Sequence, residues 1–183
     1  MTADSRLEMN DMTKYEVLQD EAYKEGLIVK EKPLQAHDGR IKDNRVAIRQ
    51  DIPTSSEKAC VLAEELGHHY TSTGNILDQS DVSNRKQELR ARRRAHDQLI
   101  GLQGIIDAYE AGCRSRSEAA EFLGVTEEFL QEALDQYSMR YGSAVRLCKY
   151  AVYFYPVLGV LKGMCGEKGA DQGRCGCCRH EYE

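Results

Sequence analysis

Ala59-Cys60-Val61-Leu62-Ala63-Glu64-Glu65-Leu66-Gly67-His68-His69-Tyr70 is the stretch on which the reading of this chain turns. At about 100° per residue along a helix, Ala59, Leu62, Ala63, Leu66 and Tyr70 fall on one face, and that face must bury itself. Glu64, Glu65 and His68 gather on the opposite face, while His69 lies on the flank nearer the apolar stripe. Glu64 and His68 are one turn apart, so their side chains can converge on one point, with Glu65 beside them. Pro53-Thr54-Ser55-Ser56 ends in N-cap residues, which predicts a helix from there to about Thr71.

A polar face of this kind is, on one reading, simply solvated. The other reading is chemical. In a zinc-peptidase helix of the HExxH type, the first and last residues hold the metal and the middle Glu activates water. Here the string is Glu64-Glu65-Leu66-Gly67-His68, an EExxH. A carboxylate can ligate zinc, although it brings more negative charge than an imidazole. Gly67 permits close approach of another backbone or of a substrate. A third ligand is available in Asn84 to Leu102, where Glu88 shares a helical stripe with Ala91, Ala95 and Leu99. A carboxylate pointing inward needs a partner, and the pattern offers two: a metal, or Arg92 one turn on.

Working outward, Lys14 to Glu25 reads as a helix stopped by Gly26, and Leu27-Ile28-Val29 as a short strand. Gly39 to Arg49 reads as a hairpin turning at Asp43-Asn44, since Val46 and Ile48 share a face. Gly74 to Ser83 is a polar connection and Asn84 to Leu102 a helix, with another helical block following Gly104 and reaching about Gly112. Ser115-Arg116-Ser117-Glu118 is a capping box, Gly124 breaks its helix, and Thr126 caps a last one running to about Tyr141. Tyr150 to Leu158 is apolar and aromatic, a strand or docked segment. Strands come early and helices later, which predicts an α+β fold.

At this point the residues resemble a known family. Leu62 to Thr71, followed by Lys86-Gln87-Glu88-Leu89-Arg90-Ala91, is similar to the ImmA/IrrE metallopeptidases, most closely their prophage and mobile-element branch. The likeness runs from about Tyr15 to about Pro156 and takes in the hairpin, Asp78 to Ala91, and Glu118 to Phe129. It implies a zincin-like core: a small antiparallel sheet packed against a metal-bearing helix, followed by a mainly helical C-terminal part. By the same resemblance Glu65 corresponds to the catalytic base, and Glu64, His68 and Glu88 to the metal ligands, with zinc as the implied cofactor. Two positions depart from the family pattern: Glu64 stands where its first His stands, and Arg92 where many members carry Asn. If the register shifts by one residue, Glu65 and His69 form the one-turn pair instead of Glu64 and His68. The implied partner is a protein substrate, a phage-type helix-turn-helix repressor cleaved by an anti-repressor. The organisation expected is a metallopeptidase core over 1–113, a helical pair with an apolar C-terminal segment over 114–163, and a Cys-rich irregular tail over 164–183.

Composition limits the competing classes. The chain has 183 residues, with 30 acidic and 25 basic side chains and a formal charge of −5. That length buries a core without disulfide staples, and 41% hydrophobic with 30% charged residues is globular usage. The net charge argues against direct nucleic-acid binding. A helix-turn-helix over Ser117 to Tyr137 is the alternative, but its second helix carries Glu127, Glu128, Glu132 and Asp135, which phosphates repel. The block therefore reads as a structural helical pair. The basic run Arg85 to Arg94 reads as a solvated face or a docking patch for an acidic partner. A third possibility is a pseudo-peptidase, which binds its protein partner but does not cut because Glu64 has replaced the His.

No membrane span is expected, because the apolar run Tyr150 to Val160 is interrupted by Pro156 and falls short of the roughly 20 residues required. Met1 to Asn10 has no apolar core, so a cytoplasmic setting is expected. The seven cysteines are unevenly placed, which suits a reducing compartment. Cys165, Cys175, Cys177 and Cys178, with His180, read either as an irregular oxidation-prone extension or as a second zinc site.

Overall fold

The computed structural model describes residues 12–71 and 81–163. The Cys-rich tail and most of the connection after Thr71 lie outside these residues.

Helix α1, Lys14–Lys24, opens on a capping box in which Thr13 and Glu16 satisfy each other's backbone donors. It closes at Gly26, whose φ of +79° suits a residue without Cβ. Three strands follow: β1 Ile28–Lys32, β2 Gly39–Lys42 and β3 Arg45–Arg49. They form one sheet in the order β1-β3-β2. The hairpin pairs β2 antiparallel to β3, whereas β1 runs parallel to β3, so this sheet is mixed rather than purely antiparallel. The chain leaves β1 and returns through residues 33–38 to start the hairpin on the far side of β3. That leaves β2 as an edge strand.

Helix α2, Ser55–Thr71, packs across this sheet, across α1 and most extensively against α3, Asp81–Leu99. Its predicted apolar face is the buried one: Ala59, Leu62, Ala63 and Leu66 are fully enclosed. Lys58 ties its start to Glu31 of β1 at 2.9 Å. At Gly67 the backbones of α2 and α3 approach closely. A Cβ there would lie 2.4 Å from the Ala91 carbonyl oxygen, so only glycine permits the approach.

The predicted helix over 84–102 ends earlier, at Leu99. The chain turns at Ile100 and Gly101, with Gly101 at φ +57°, and α4 runs Gly101–Glu110. Gly104 does not break a helix. It lies inside α4 beneath Leu123, whose Cδ2 would be 3.0 Å from an added Cβ. Helix α5, Arg116–Leu123, carries the expected Ser115–Glu118 capping box and stops at Gly124 in the left-handed region. Helix α6, Glu127–Tyr141, is capped by Thr126 and sinks Phe129, Leu130, Ala133, Leu134 and Tyr137 into the core.

The end of the described chain is a second, antiparallel sheet of β4 Ala144–Leu147, β5 Tyr150–Tyr153 and β6 Gly159–Lys162. The apolar segment from Tyr150 therefore supplies β5 and leads into β6. Val152 and Phe154 join Tyr137 and Tyr141 of α6 in the core. The architecture is α+β, with a small sheet against a central helix and a mainly helical continuation. None of the described helices is long and apolar enough to cross a membrane.

Candidate active site

The polar face of α2 is not a solvated one. Glu64, Glu65 and His68 are all half-buried, because β2 covers one side of the helix and α3 and α6 flank the other. A merely solvated face would have left them open.

His68 and Glu88 meet across the α2–α3 contact, with His68 Nε2 3.3 Å from Glu88 Oε2. Two bonds of about 2.0–2.2 Å at tetrahedral angles hold a pair of zinc ligands about 3.3–3.5 Å apart. The pair therefore has the separation of two ligands on one ion. It is His68, not His69, that meets Glu88. His69 instead packs edge-on against Tyr70, ring centroids 5.5 Å apart.

Glu88 departs from expectation in its surroundings. The carboxylate was expected to point inward, yet its side chain is 47% exposed, at the rim rather than in the core. Of the two partners expected for it, Arg92 is the one present: Oε1 accepts from Arg92 Nε at 2.9 Å, while Oε2 faces His68.

Glu64 lies within electrostatic reach of His68, Glu88, Arg92 and Glu132. Burial raises its carboxyl pKa above the ordinary value, and Arg92 opposes that most strongly. It lines a cavity of about 230 Å³ shared with Cys60, Thr126, Phe129 and Glu132, between α2 and the start of α6. Among the described residues no three His, Cys, Asp or Glu side chains form a group that could hold a metal. Thus His68 and Glu88 come together, and Glu64 stands beside them without completing a triad. The imidazole and the two carboxylates fit a transition metal by their chemistry, with two donors already at ligand spacing.

Glu65 points the other way, under β2. Burial raises its pKa. His68 is the strongest opposing influence, followed by a hydrogen bond from the Ile41 backbone. A carboxyl shifted upward, toward neutral pH, is suited to accept and return a proton. Gly39 makes room for it: a Cβ there would lie 2.7 Å from Glu65 Cγ and 2.8 Å from Val61 Cγ1. Sequence reasoning did not find Gly39, Ile41 or Glu132. Their roles come from packing across elements, and local spacing carries no signal of it.

Against this geometry, residues 22–135 match the family described as IrrE N-terminal-like domain. The chain belongs to the ImmA/IrrE metallopeptidase family. The match spans more than half of the chain and runs from late α1 through α2 and α3 well into α6. This ImmA/IrrE domain therefore includes the elements that carry Glu64, Glu65, His68 and Glu88, and also Arg92 and Glu132. No curated protein and no solved structure matches the chain.

Proposed function

We propose that this protein is a zinc-dependent endopeptidase of the cytoplasm, acting as an anti-repressor of a prophage or other mobile element on a helix-turn-helix repressor. The observation that carries the enzymatic part is the pairing of His68 with Glu88 at ligand separation beside a half-buried Glu65. His68, Glu88 and Glu64 hold the metal in this reading.

A bound zinc ion supplies Lewis-acid polarisation of the scissile carbonyl and a more acidic water. Glu65 accepts a proton from the attacking water at its carboxylate and delivers it to the nitrogen of the departing amine. The Ile41 hydrogen bond and the space left by Gly39 fix that carboxylate against β2. The edge position of β2 gives an extended peptide a strand to lie along, within reach of Glu65.

A second reading has a specific observation behind it. Glu64 stands where an imidazole would be the better ligand and is under the electrostatic influence of Arg92. Among the described residues it completes no three-ligand group, which suits a pseudo-peptidase that binds its partner without cutting it. One experiment separates the two. Zinc-loaded wild type, Glu65→Gln and Glu64→His are incubated with a helix-turn-helix repressor encoded beside the gene. The enzyme reading expects fragments from wild type, none from Glu65→Gln, and equal zinc content in both. An inert wild type together with an active Glu64→His variant establishes the pseudo-peptidase. Fragments in equal yield from Glu65→Gln remove Glu65 from the chemistry.

A further inference from the structure

The two oxygens of Glu88 face different partners. Oε2 is turned to His68, and Oε1 accepts from Arg92 Nε at 2.9 Å. The same guanidinium reaches a third element, with Nη1 3.6 Å from Glu132 Oε2 on α6. Glu64 of α2 also acts on it electrostatically. Arg92 is thus surrounded by carboxylates from α2, α3 and α6.

We propose that Arg92 is a positioning residue for the metal site and that Glu132 makes this positioning depend on α6. The guanidinium fork pins Oε1 of Glu88, so Oε2 is the oxygen presented alongside His68. A carboxylate free to rotate would offer either oxygen, or neither, at that spot. Partners behind a ligating carboxylate orient it and tune the affinity of the site. Glu132, in turn, keeps the fork from swinging away into solvent. The positive charge of Arg92 does not make the site repel a cation, because three carboxylates surround the one guanidinium and the cluster stays negative. The ion pairs are half-exposed, with side-chain exposures of 45–51%, and pairs of that kind contribute little to folding. Removing them therefore leaves a folded protein in which Glu88 is no longer oriented. The charge lost with Arg92 would by itself favour the cation, so weaker binding reports the orientation.

This inference rests on the metallopeptidase reading, and its test separates the two. Zinc affinity of the full chain is measured by competition with a chromophoric chelator for wild type, Arg92→Gln, Arg92→Lys, Glu132→Gln and the Arg92→Gln/Glu132→Gln double variant. Melting temperature is followed in parallel. Arg92→Gln is expected to bind zinc about 10–100-fold more weakly at an unchanged melting temperature. Glu132→Gln is expected to lose less, and the double variant no more than Arg92→Gln alone, because Glu132 acts through Arg92. Arg92→Lys keeps the charge but lacks the fork, and is also expected to bind more weakly than wild type. Affinity that is unchanged or tighter in Arg92→Gln overturns the inference while leaving a zinc enzyme. Additive losses in the double variant remove the role given to Glu132. Failure of the wild type itself to bind zinc overturns the metallopeptidase reading, and this inference with it.

Discussion

Glu65 and Glu64 are adjacent in sequence but face opposite walls of the site. Glu65 lies under Gly39 and Ile41 of the edge strand, and Glu64 looks toward Arg92 and α6. The helical angle between neighbouring residues enforces this split, and it suits two carboxylates with different tasks. The position of Glu65 depends on a missing atom. Gly39→Ala would place a methyl 2.7 Å from Glu65 Cγ, and Val61 on the other side leaves no easy escape. The Glu65 carboxylate would then have to leave the Ile41 N–H. A displacement of about 1 Å at a reacting group can cost on the order of a hundredfold in rate. Gly39→Ala is therefore expected to lose about 10–100-fold in turnover while keeping its zinc, since His68 and Glu88 are untouched. Steady-state kinetics with metal analysis checks this, and wild-type turnover in that variant would show that Glu65 is not held from above. The one-turn spacing of Glu64 and His68 was legible within α2, whereas the stripe on α3 placed Glu88 inward and the structure puts it at the rim, facing His68 from another helix. The link from Arg92 to Glu132 joins helices distant in sequence and was not legible.

Helix α2 shows why some elements can be read and others cannot. Its apolar face repeats at helical spacing and is buried as that spacing demands. The capping boxes at Thr13 and Ser115 are local chemistry, and the second of them was visible as written. The end of α3 was marked more weakly. Gly101, in the left-handed region, lies just past Leu99, but Ile100 gives the helix that follows no side-chain cap, so the two helices read as one. The sheet of β4, β5 and β6 was hidden for a similar reason. Its first turn carries Cys148 at φ +47° in place of the Asn or Gly that marks hairpin turns. Gly67 is the case where local and tertiary preferences oppose each other. In an isolated helix Gly→Ala gains about 1 kcal/mol. Here the added Cβ would sit 2.4 Å from a backbone oxygen of α3, which cannot rotate out of the way. Overpacking of that kind costs about 1–3 kcal/mol or more, which outweighs the propensity gain. Gly67→Ala is thus expected to lower the melting temperature by several degrees, at about 2–4 °C per kcal/mol for a chain of this size. A scanning melt decides it, and a stabilised variant would mean that the two helices do not meet at Ala91.

At the scale of the whole molecule, α6 docks on α3 around a buried histidine. His96 of α3 is 2% exposed, with Nδ1 3.2 Å from Gln136 Oε1 of α6 and its ring edge-on to Phe129 at 4.7 Å. Burial holds its pKa below the ordinary 6.5, opposed first by Gln136 and then by Glu132 and Asp97, while Arg92 adds to the lowering. The folded protein therefore keeps His96 neutral at pH values where the unfolded chain would protonate it. Above about pH 6.5 both states are neutral there and nothing is lost. As the pH falls below that value the unfolded state gains a proton that the folded state refuses. Stability then drops, by at most about 1.4 kcal/mol per pH unit, until the folded pKa is reached. Glu64 and Glu65 act in the opposite direction, since their raised pKa values favour the folded state as the solution becomes acidic. The contribution of His96 is isolated by a difference: urea unfolding of wild type and His96→Gln at pH 7.5 and pH 5.5. Wild type is expected to lose more stability between the two than the variant. Equal losses in wild type and His96→Gln would mean that His96 takes up its proton as readily in the folded protein as in the unfolded chain and that the α3–α6 contact tolerates the charge.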